Sequence, residues 1–86
     1  MKTIACEIQS EEGLHARPAA DFCEVASTFD SEITVQKQGK DEAFNGKSII
    51  SILCLGAVKG ETVIVTANGN DEEQAITALA EVLAKG

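Results

Sequence analysis

The sequence predicts one α+β domain, a two-layer sandwich in which three helices cover one face of a four-stranded antiparallel sheet. Some segments alternate apolar and polar residues, which is typical of strands, and others repeat apolar residues every three or four positions, which is typical of helices. The chain has 86 residues, enough for one core and too few for two. We therefore treat residues 1–86 as a single domain with the order β-α-β-β-α-β-α.

The first two elements differ in the period of their apolar residues. Alternation from Thr3 to Gln9 predicts a half-buried strand, whose inner face is formed by Ile4, Cys6 and Ile8. From Ala16 to Phe29 the apolar residues recur at helical spacing, which predicts an amphipathic helix. Pro18 is compatible with this helix because it lies in the first turn, where backbone N–H groups have no partner within the helix.

The middle of the chain predicts a hairpin and then a short helix. Glu32–Lys37 alternates, a turn is expected at 38–41, and a second strand follows at Glu42–Phe44. The segment Ser48–Leu55 is apolar on every side, so its periodicity is compatible with a helix or a buried strand. Ser48 as an N-cap and Gly56 as a C-terminal stop favour the helix.

The last two elements are a strand and a helix. Glu61–Ala67 is rich in Val, Ile and Thr, which predicts a strand. In the helix that follows, Asp71 is expected to cap the start, and Glu72, Glu73 and Lys85 carry charges that suit the helix dipole. The predicted apolar stripe of this helix consists of Ile76, Leu79, Ala80 and Leu83.

The charge and hydropathy of the chain exclude several classes of partner. Seven basic and fourteen acidic side chains give a formal charge of -7, which repels nucleic acid and anionic lipid. The N-terminal segment lacks the apolar stretch of a signal peptide, and no run approaches the roughly 18 apolar residues that span a bilayer. We therefore expect a cytoplasmic protein that neither binds nucleic acid nor inserts into membranes.

Three cysteines, Cys6, Cys23 and Cys54, are odd in number and lack CxxC spacing. This pattern favours neither a disulfide framework nor a zinc site, and we expect no metal and no cofactor. All three are interpreted as reduced, partly buried small side chains. A reactive thiol is the less favoured alternative, because no neighbouring residue is suited to lowering a thiol pKa.

The segment Gly13-Leu14-His15-Ala16-Arg17-Pro18-Ala19 places the single histidine where the first helix starts. A lone histidine is most often a surface or capping residue. Here, however, unpaired N–H groups and the helix dipole favour an anion, and Arg17 can add a forked donor. A histidine also offers a neutral nucleophilic nitrogen near neutral pH. Together these features predict that His15 accepts a phosphoryl group.

An exposed site of this kind suits a carrier better than an enzyme, because a carrier must present its phosphoryl group to a donor and then to an acceptor. The sequence contains no Gly-rich P-loop and no carboxylate pair with metal-binding spacing. His15 is the single histidine, so no other histidine is present to act as the base of a Ser-His-Asp arrangement.

The motifs GLHARPAADF, SEITV and GKSIISILCLG, with the acid-capped terminal helix, resemble the HPr family of phosphocarriers of the bacterial sugar phosphotransferase system. The resemblance covers essentially the whole chain. It implies an open-faced β-sandwich in which His15 receives a phosphoryl group from the phosphoenolpyruvate-dependent Enzyme I and passes it to EIIA domains. Arg17 matches the arginine that contacts the phosphate in that family.

The resemblance also assigns roles to the short apolar helix. Ser48 matches a regulatory serine that an HPr kinase/phosphorylase phosphorylates in many bacteria. A plain N-cap is the alternative role for Ser48, and both roles can hold together. Ile49, Ile50 and Leu53 are expected to contact Enzyme I and EIIA, whereas core packing is favoured for Ile52 and Leu55.

Other functions stay open or are disfavoured. The stretch Lys37–Lys47 is slightly longer than in typical sugar-branch members, and nitrogen-branch paralogues share the histidine motif. A second alternative is a regulatory module in which phosphorylated Ser48 binds a transcriptional regulator and His15 is idle, but the intact GLHARPA motif argues against it. An RNA-binding domain is disfavoured by the charge and by the lack of aromatic residues on the strands. The chain is expected to be a monomer.

Overall fold

A computed structural model describes residues 1–85 of the chain. Within them the elements follow the predicted order β-α-β-β-α-β-α. The strands are β1 (Lys2–Glu7), β2 (Glu32–Lys37), β3 (Phe44–Asn45) and β4 (Thr62–Asn68), and the helices are α1 (Ala16–Ser27), α2 (Ile49–Leu55) and α3 (Glu72–Lys85).

The four strands form one antiparallel sheet in the order β1-β4-β2-β3. β4 lies between β1 and β2, so that Val65 is opposite Ile4 on one side and Val35 on the other. β4 therefore joins β1 to β2 and β3 by pairing with both β1 and β2.

One face of the sheet is covered and the other is open. On β4, Val63, Val65 and Ala67 are buried, and the residues between them are half-buried on the opposite face. Each helix contributes fully buried side chains to the covered face, among them Phe22, Ile52 and Leu79. The predicted open-faced α+β sandwich is confirmed, and its core is largely aliphatic.

Element bounds agree with the predictions to within about two residues. β2 has the predicted bounds, β1 lies one to two residues earlier than expected, and β4 lies one residue later. α1 ends at Ser27 and not at Phe29, because the Thr28 hydroxyl donates to the Val25 carbonyl at 2.7 Å and closes the last turn. Phe29 still packs against the core.

The predicted second hairpin strand, Glu42–Phe44, is wrong in its bounds. Only Phe44 and Asn45 pair with β2. The Gly46 N–H still donates to the Ile33 carbonyl at 2.7 Å. The chain then turns toward α2, where Asn45 accepts from the N–H groups of Lys47 and Ser48 at 2.9 and 3.2 Å. A Cβ on Gly46 would come within 2.5 Å of the Ile33 side chain, so this turn has room only for glycine.

The ambiguous apolar segment is a helix, and both predicted end signals of α2 are confirmed. The Ser48 hydroxyl caps α2 by accepting from the Ser51 N–H at 3.3 Å. Gly56 ends the helix in the left-handed region at φ 65°. Ile52 and Leu55 are buried, as expected for core residues.

The start of α3 differs from the prediction in the partners of Asp71. This residue directly precedes the helix, but its carboxylate accepts from the N–H groups of Asp30 and Ser31 at 2.8 and 3.0 Å and from the Ser31 hydroxyl at 2.5 Å. The Ser31 hydroxyl is the main cause of a lowered Asp71 pKa. Asp71 thus joins the start of α3 to the loop before β2.

The apolar stripe of α3 and the cysteines depart from prediction in part. Ala75, Leu79 and Leu83 form the buried stripe, whereas the predicted Ile76 and Ala80 are only half-buried. All three cysteines are free, and burial raises the pKa of the Cys6 and Cys23 thiols. The expectation of partial burial is wrong for Cys54, which is exposed on the solvent side of α2.

Candidate functional site

The loop between β1 and α1 is held in place by the residues just before His15. Leu14 is 1% exposed and belongs to the core. Its N–H donates to the Ala57 carbonyl at 2.8 Å, and the Gly13 N–H donates to the Ser10 carbonyl at 2.9 Å. These contacts fix the histidine loop against the segment that follows α2.

Gly13 permits this close approach for two reasons. Its φ of +72° lies in the left-handed region, which side chains other than glycine rarely adopt. A Cβ at this position would also lie 2.7 Å from the Ala57 carbonyl oxygen. Any larger residue would push the loop away from the core.

His15 occupies the N-cap position of α1 with an extended backbone, and its side chain makes no capping hydrogen bond. The residue is half-exposed. The N–H groups of the first turn are thus left without a side-chain acceptor from this residue, and the positive end of the helix dipole faces the same region. The imidazole and the helix start can therefore act on one external anion.

Ala16 has a positive φ of +49°. Among residues 1–85, all other residues with positive φ are glycines. A left-handed backbone costs an alanine about 1–2 kcal/mol relative to the right-handed region. The sequence does not predict this strain, since alanine favours helix and carries no signal for a left-handed backbone. Ala16 directly follows His15, and strained backbone conformations of this kind often occur next to functional residues.

Arg17 lies exposed in the first turn of α1, two residues after His15. Across the part of the chain that the structure describes, its guanidinium forms no ion pair with a carboxylate. His15 and Arg17, the two residues predicted to form the site, are thus brought to the same helix start. The arrangement can hold a dianionic group between a nitrogen nucleophile and a free guanidinium.

An exposed apolar patch lies on α2 and the segment after it. Ile49 is 43%, Ile50 71% and Leu53 41% exposed, in agreement with their expected position on the surface. Val58, 50% exposed, extends the patch toward the segment that binds the histidine loop. Val58 was not among the predicted contact residues, although its place just before the turn at Gly60 favours exposure. We call Ile49, Ile50, Leu53 and Val58 the apolar patch.

Ser48 is half-exposed at the start of α2, where the patch begins. The preceding residue, Lys47, donates from Nζ to the Phe29 carbonyl at 2.7 Å. This contact joins the start of α2 to the end of α1 and was also missed, because its partners are 18 residues apart.

The described residues, 1–85, contain no cluster of three or more His, Cys, Asp or Glu side chains suited to a metal ion. None of the helices in this range combines the length and hydrophobicity needed to cross a bilayer.

Comparison with known proteins identifies the family. The family model described as "PTS HPr component phosphorylation site" matches residues 2–85. The multiphosphoryl transfer protein of Salmonella typhimurium is 39% identical over 80 residues, which cover 92% of this chain and 21% of that protein. The chain therefore spans about a fifth of the length of the curated relatives that it matches.

Solved structures share the fold over nearly the whole chain. HPr-C-His from Thermoanaerobacter tengcongensis has a TM-score of 0.92 at 46% identity and covers 99% of this chain and 93% of its own. A dimer of HPr from the same organism has a TM-score of 0.77 at 45% identity, with 99% and 95% covered. The phosphocarrier protein HPr from Bacillus anthracis has a TM-score of 0.88 at 35% identity, with 95% of each chain covered.

The family match extends over the histidine loop, the apolar helix and the sheet alike, and the resemblance expected from the GLHARPA motif is confirmed. This chain belongs to the HPr family of the phosphotransferase system.

Proposed function

We propose that this chain is a phosphocarrier in which His15 accepts a phosphoryl group from a phosphoenolpyruvate-dependent Enzyme I and passes it to EIIA domains of sugar transporters. The observation that carries the proposal is the placement of His15, which is half-exposed at the start of α1 and makes no capping bond. A nitrogen committed to a cap could not attack phosphorus as readily.

Each transfer exchanges one bond to phosphorus for another. A ring nitrogen of His15 attacks the phosphoryl group of the donor, and the N–P bond forms as the bond between the donor and phosphorus breaks. The electron pair of the broken bond stays with the donor. Arg17 and the N–H groups of the first turn of α1 stabilise the charge on the phosphoryl oxygens during both transfers. The reverse exchange then delivers the group to EIIA, so the chain acts as a carrier and not as an enzyme.

The proposal has three further parts. Residues 1–86 form a single domain, which acts in the cytoplasm and is a monomer. The charge of -7 disfavours binding to nucleic acid. Analytical ultracentrifugation tests the oligomeric state, and a dimer at micromolar concentration would contradict it.

The decisive experiment is phosphorylation of the purified protein by Enzyme I, magnesium and labelled phosphoenolpyruvate. We expect one acid-labile phosphoryl group on His15 and no incorporation in a His15→Ala variant. Equal incorporation in the variant would falsify the proposal. Repeating the reaction with sugar-branch and nitrogen-branch Enzyme I and EIIA proteins distinguishes a sugar carrier from a nitrogen-branch paralogue.

The apolar patch is the proposed contact surface for Enzyme I and EIIA. Three of its residues, Ile49, Ile50 and Leu53, lie on a helix too short to form without tertiary packing, yet all three are exposed. Several exposed large aliphatic side chains on one short helix are typical of a protein–protein contact. Leu14 and Ala57 link this surface to His15 through one backbone hydrogen bond.

Ser48 is proposed as a regulatory site, phosphorylated by an HPr kinase/phosphorylase and recognised by a transcriptional regulator in its modified form. The residue is half-exposed and directly precedes Ile49, the first residue of the apolar patch. A phosphate there adds a charge of about -1.5 to -2 at a helix start, which stabilises the helix, but the same charge must be desolvated when Enzyme I covers the patch.

A Ser48→Asp variant tests this regulation. We expect a raised KM for Enzyme I and an equal or slightly higher melting temperature, measured by phosphotransfer kinetics and circular dichroism. Ser48→Ala is the matched control, since it removes the cap, costs about 0.5–2 kcal/mol of stability and adds no charge. An unchanged KM in Ser48→Asp would leave Ser48 with the role of a cap alone.

A further inference from the structure

Glycine follows two of the three asparagines in the chain, Asn45 and Asn68. An asparagine in this context can react with its own backbone, because glycine has no Cβ to keep the next backbone nitrogen away from the side-chain amide. The two pairs differ in their surroundings, and the surroundings decide whether the reaction can occur.

The reaction is deamidation through a cyclic imide. The backbone nitrogen of the glycine loses its proton to a solvent base and attacks the side-chain carbonyl carbon of the asparagine. A bond between this nitrogen and that carbon forms as the bond to the side-chain nitrogen breaks, and ammonia leaves with a proton from solvent. Water then adds to either carbonyl of the ring, which opens to aspartate or to isoaspartate. Deamidation therefore needs a glycine nitrogen that can leave its hydrogen bond and an asparagine side chain that can turn toward it.

The pair Asn45-Gly46 is held away from this reaction by the turn before α2. Gly46 is buried, and its N–H donates to the Ile33 carbonyl at 2.7 Å. The Asn45 side-chain oxygen accepts from the Lys47 N–H at 2.9 Å. Both hydrogen bonds must break before the nitrogen can attack, and breaking the buried one leaves the Ile33 carbonyl without this partner.

The pair Asn68-Gly69 lies at the end of β4 and is open to solvent. Both residues are exposed, and among residues 1–85 the Asn68 side chain forms no hydrogen bond. The Gly69 N–H donates to the Glu72 carboxylate at 3.1 Å, which is a longer bond to a side chain that can rotate away. The Gly69 nitrogen can therefore be released without breaking a hydrogen bond of the sheet.

Packing requires glycine at position 69. A Cβ there would lie 2.7 Å from the Ser31 Cα, which is closer than side chains approach backbone atoms. Ser31 is fully buried, and its N–H donates to the Asp71 carboxylate at 3.0 Å, so its own contacts fix its position. The contact between Gly69 and the loop before β2 therefore keeps a reactive pair in place as long as position 68 is asparagine.

We propose that Asn68 is a deamidation site of the folded protein and that the fold protects Asn45 from the same reaction. The inference does not depend on the proposed transfer at His15. β1 and β4 are antiparallel, and the end of β1 that leads to the histidine loop pairs with Thr62. Asn68 is six residues away at the other end of β4. At about 3.3 Å per residue, the two ends are about 20 Å apart along the sheet.

Deamidation of Asn68 adds a negative charge beside an existing one. Asn68 lies directly opposite Glu32 on β2, and both residues are exposed. Like charges directly opposite each other on adjacent strands are destabilising. The isoaspartate product also adds a carbon to the backbone, which displaces Gly69 from its close contact with Ser31. We expect both products to destabilise the fold and to leave labelling of His15 unchanged.

The test is timed incubation of the full chain at mildly alkaline pH. Mass spectrometry with electron-transfer fragmentation measures deamidation at each asparagine and distinguishes aspartate from isoaspartate. We expect Asn68 to deamidate at least about tenfold faster than Asn45 in the folded protein, because only Asn45 must first lose a buried hydrogen bond. Equal rates, a faster reaction at Asn45, or modification of Asn70 before Asn68 would overturn the inference.

Unfolded protein is the control for the role of the fold. In urea both pairs are released from their hydrogen bonds, and we expect the rates at Asn45 and Asn68 to agree within about twofold. A tenfold difference that persisted in urea would attribute the selectivity to neighbouring residues in the sequence and overturn protection by the fold.

The effect on stability is tested with a pair of variants. Asn68→Asp reproduces the aspartate product, and Asn68→Gln is the matched control, since its longer side chain closes a larger ring far more slowly. We expect Asn68→Asp to melt about 2–5 °C below Asn68→Gln at low salt. The difference should shrink near about 0.5 M salt, where charges are screened, and adding Glu32→Gln to Asn68→Asp should remove it.

Equal melting temperatures of Asn68→Asp and Asn68→Gln at low salt would overturn the destabilising effect of the charge. Labelling of His15 by Enzyme I should be the same in both variants, and its loss in Asn68→Asp alone would contradict the separation of the two sites. A parent protein that is not labelled at His15 would overturn the proposed function, whereas the deamidation rates would still decide the inference made here for Asn68.

Discussion

The two long helices begin in opposite ways. α3 has acidic side chains around its start, with Asp71 before it and Glu72 and Glu73 in its first turn. α1 has none in its first turn, and its N-cap residue, His15, makes no capping bond. Both helix starts carry the same partial positive charge. The chain's own carboxylates thus lie at the start of α3, whereas the start of α1 has none, and we propose that the phosphoryl group on His15 takes their place there.

The largest expected effect comes from displacing the loop that sets up the start of α1. Gly13→Ala should lower the free energy of unfolding by about 3 kcal/mol, because it combines a positive φ with a Cβ contact to the Ala57 carbonyl. Gly39→Ala is the matched control, with a φ of +86° and nothing within 4 Å of the added Cβ. We expect it to cost about 1 kcal/mol. Urea denaturation measures the free energy of unfolding of both variants. An equal decrease in the two variants would show that the contact with Ala57 does not contribute.

The next effect concerns function at the start of α1 and not stability. Arg17→Ala should slow phosphotransfer about 10- to 100-fold, because a charge-assisted contact is worth about 1.5–3 kcal/mol. The melting temperature should be unchanged, since Arg17 is exposed and unpaired within the described residues. Rapid-quench kinetics and thermal unfolding measure the two quantities. A collapse of stability with normal transfer would reverse the role assigned to Arg17.

The smallest effect is a pH-dependent change at the start of α3. Hydrogen bonds, above all from the Ser31 hydroxyl, hold the pKa of Asp71 below its usual range. A lowered folded-state pKa gives stability that is present above the unfolded-state pKa and is lost as the pH falls through the folded-state value. Asp71→Asn should therefore lower the melting temperature at pH 7 and leave it nearly unchanged at acid pH. If the melting temperatures of the variant and the parent protein differed by the same amount at every pH, the charge of Asp71 would be excluded as the cause.

Local signals in the sequence predicted the features that depend on neighbouring residues. β2 was found with its expected bounds because Ile33 and Val35 alternate with half-exposed residues. The helix at α2 was correct because Ser48 and Gly56 are adjacent capping signals. His15 and Arg17 were placed together because they share one helical turn.

Features that depend on distant residues could not be predicted. Asp71 was expected to cap its own helix, and its partners Asp30 and Ser31 are about 40 residues away in sequence. The exposure of Cys54 depends on which side of α2 packs on the sheet. Because the α2 segment is apolar on every side, its sequence does not indicate which side is buried. The positive φ of Ala16 results from tertiary packing of the loop and has no counterpart in alanine propensity.

The hydrogen bond from the Leu14 N–H to the Ala57 carbonyl has a consequence for the rate of encounter with partners. It fixes the histidine loop and the segment after α2 to one core, so both halves of the proposed contact surface are already in their mutual orientation before a partner arrives. Little conformational entropy is then lost on association, and no rearrangement need precede transfer. The proposed carrier, which would exchange partners twice in every cycle, gains from such order. Rapid release requires a weak complex, and rapid capture requires a surface that is ready to bind.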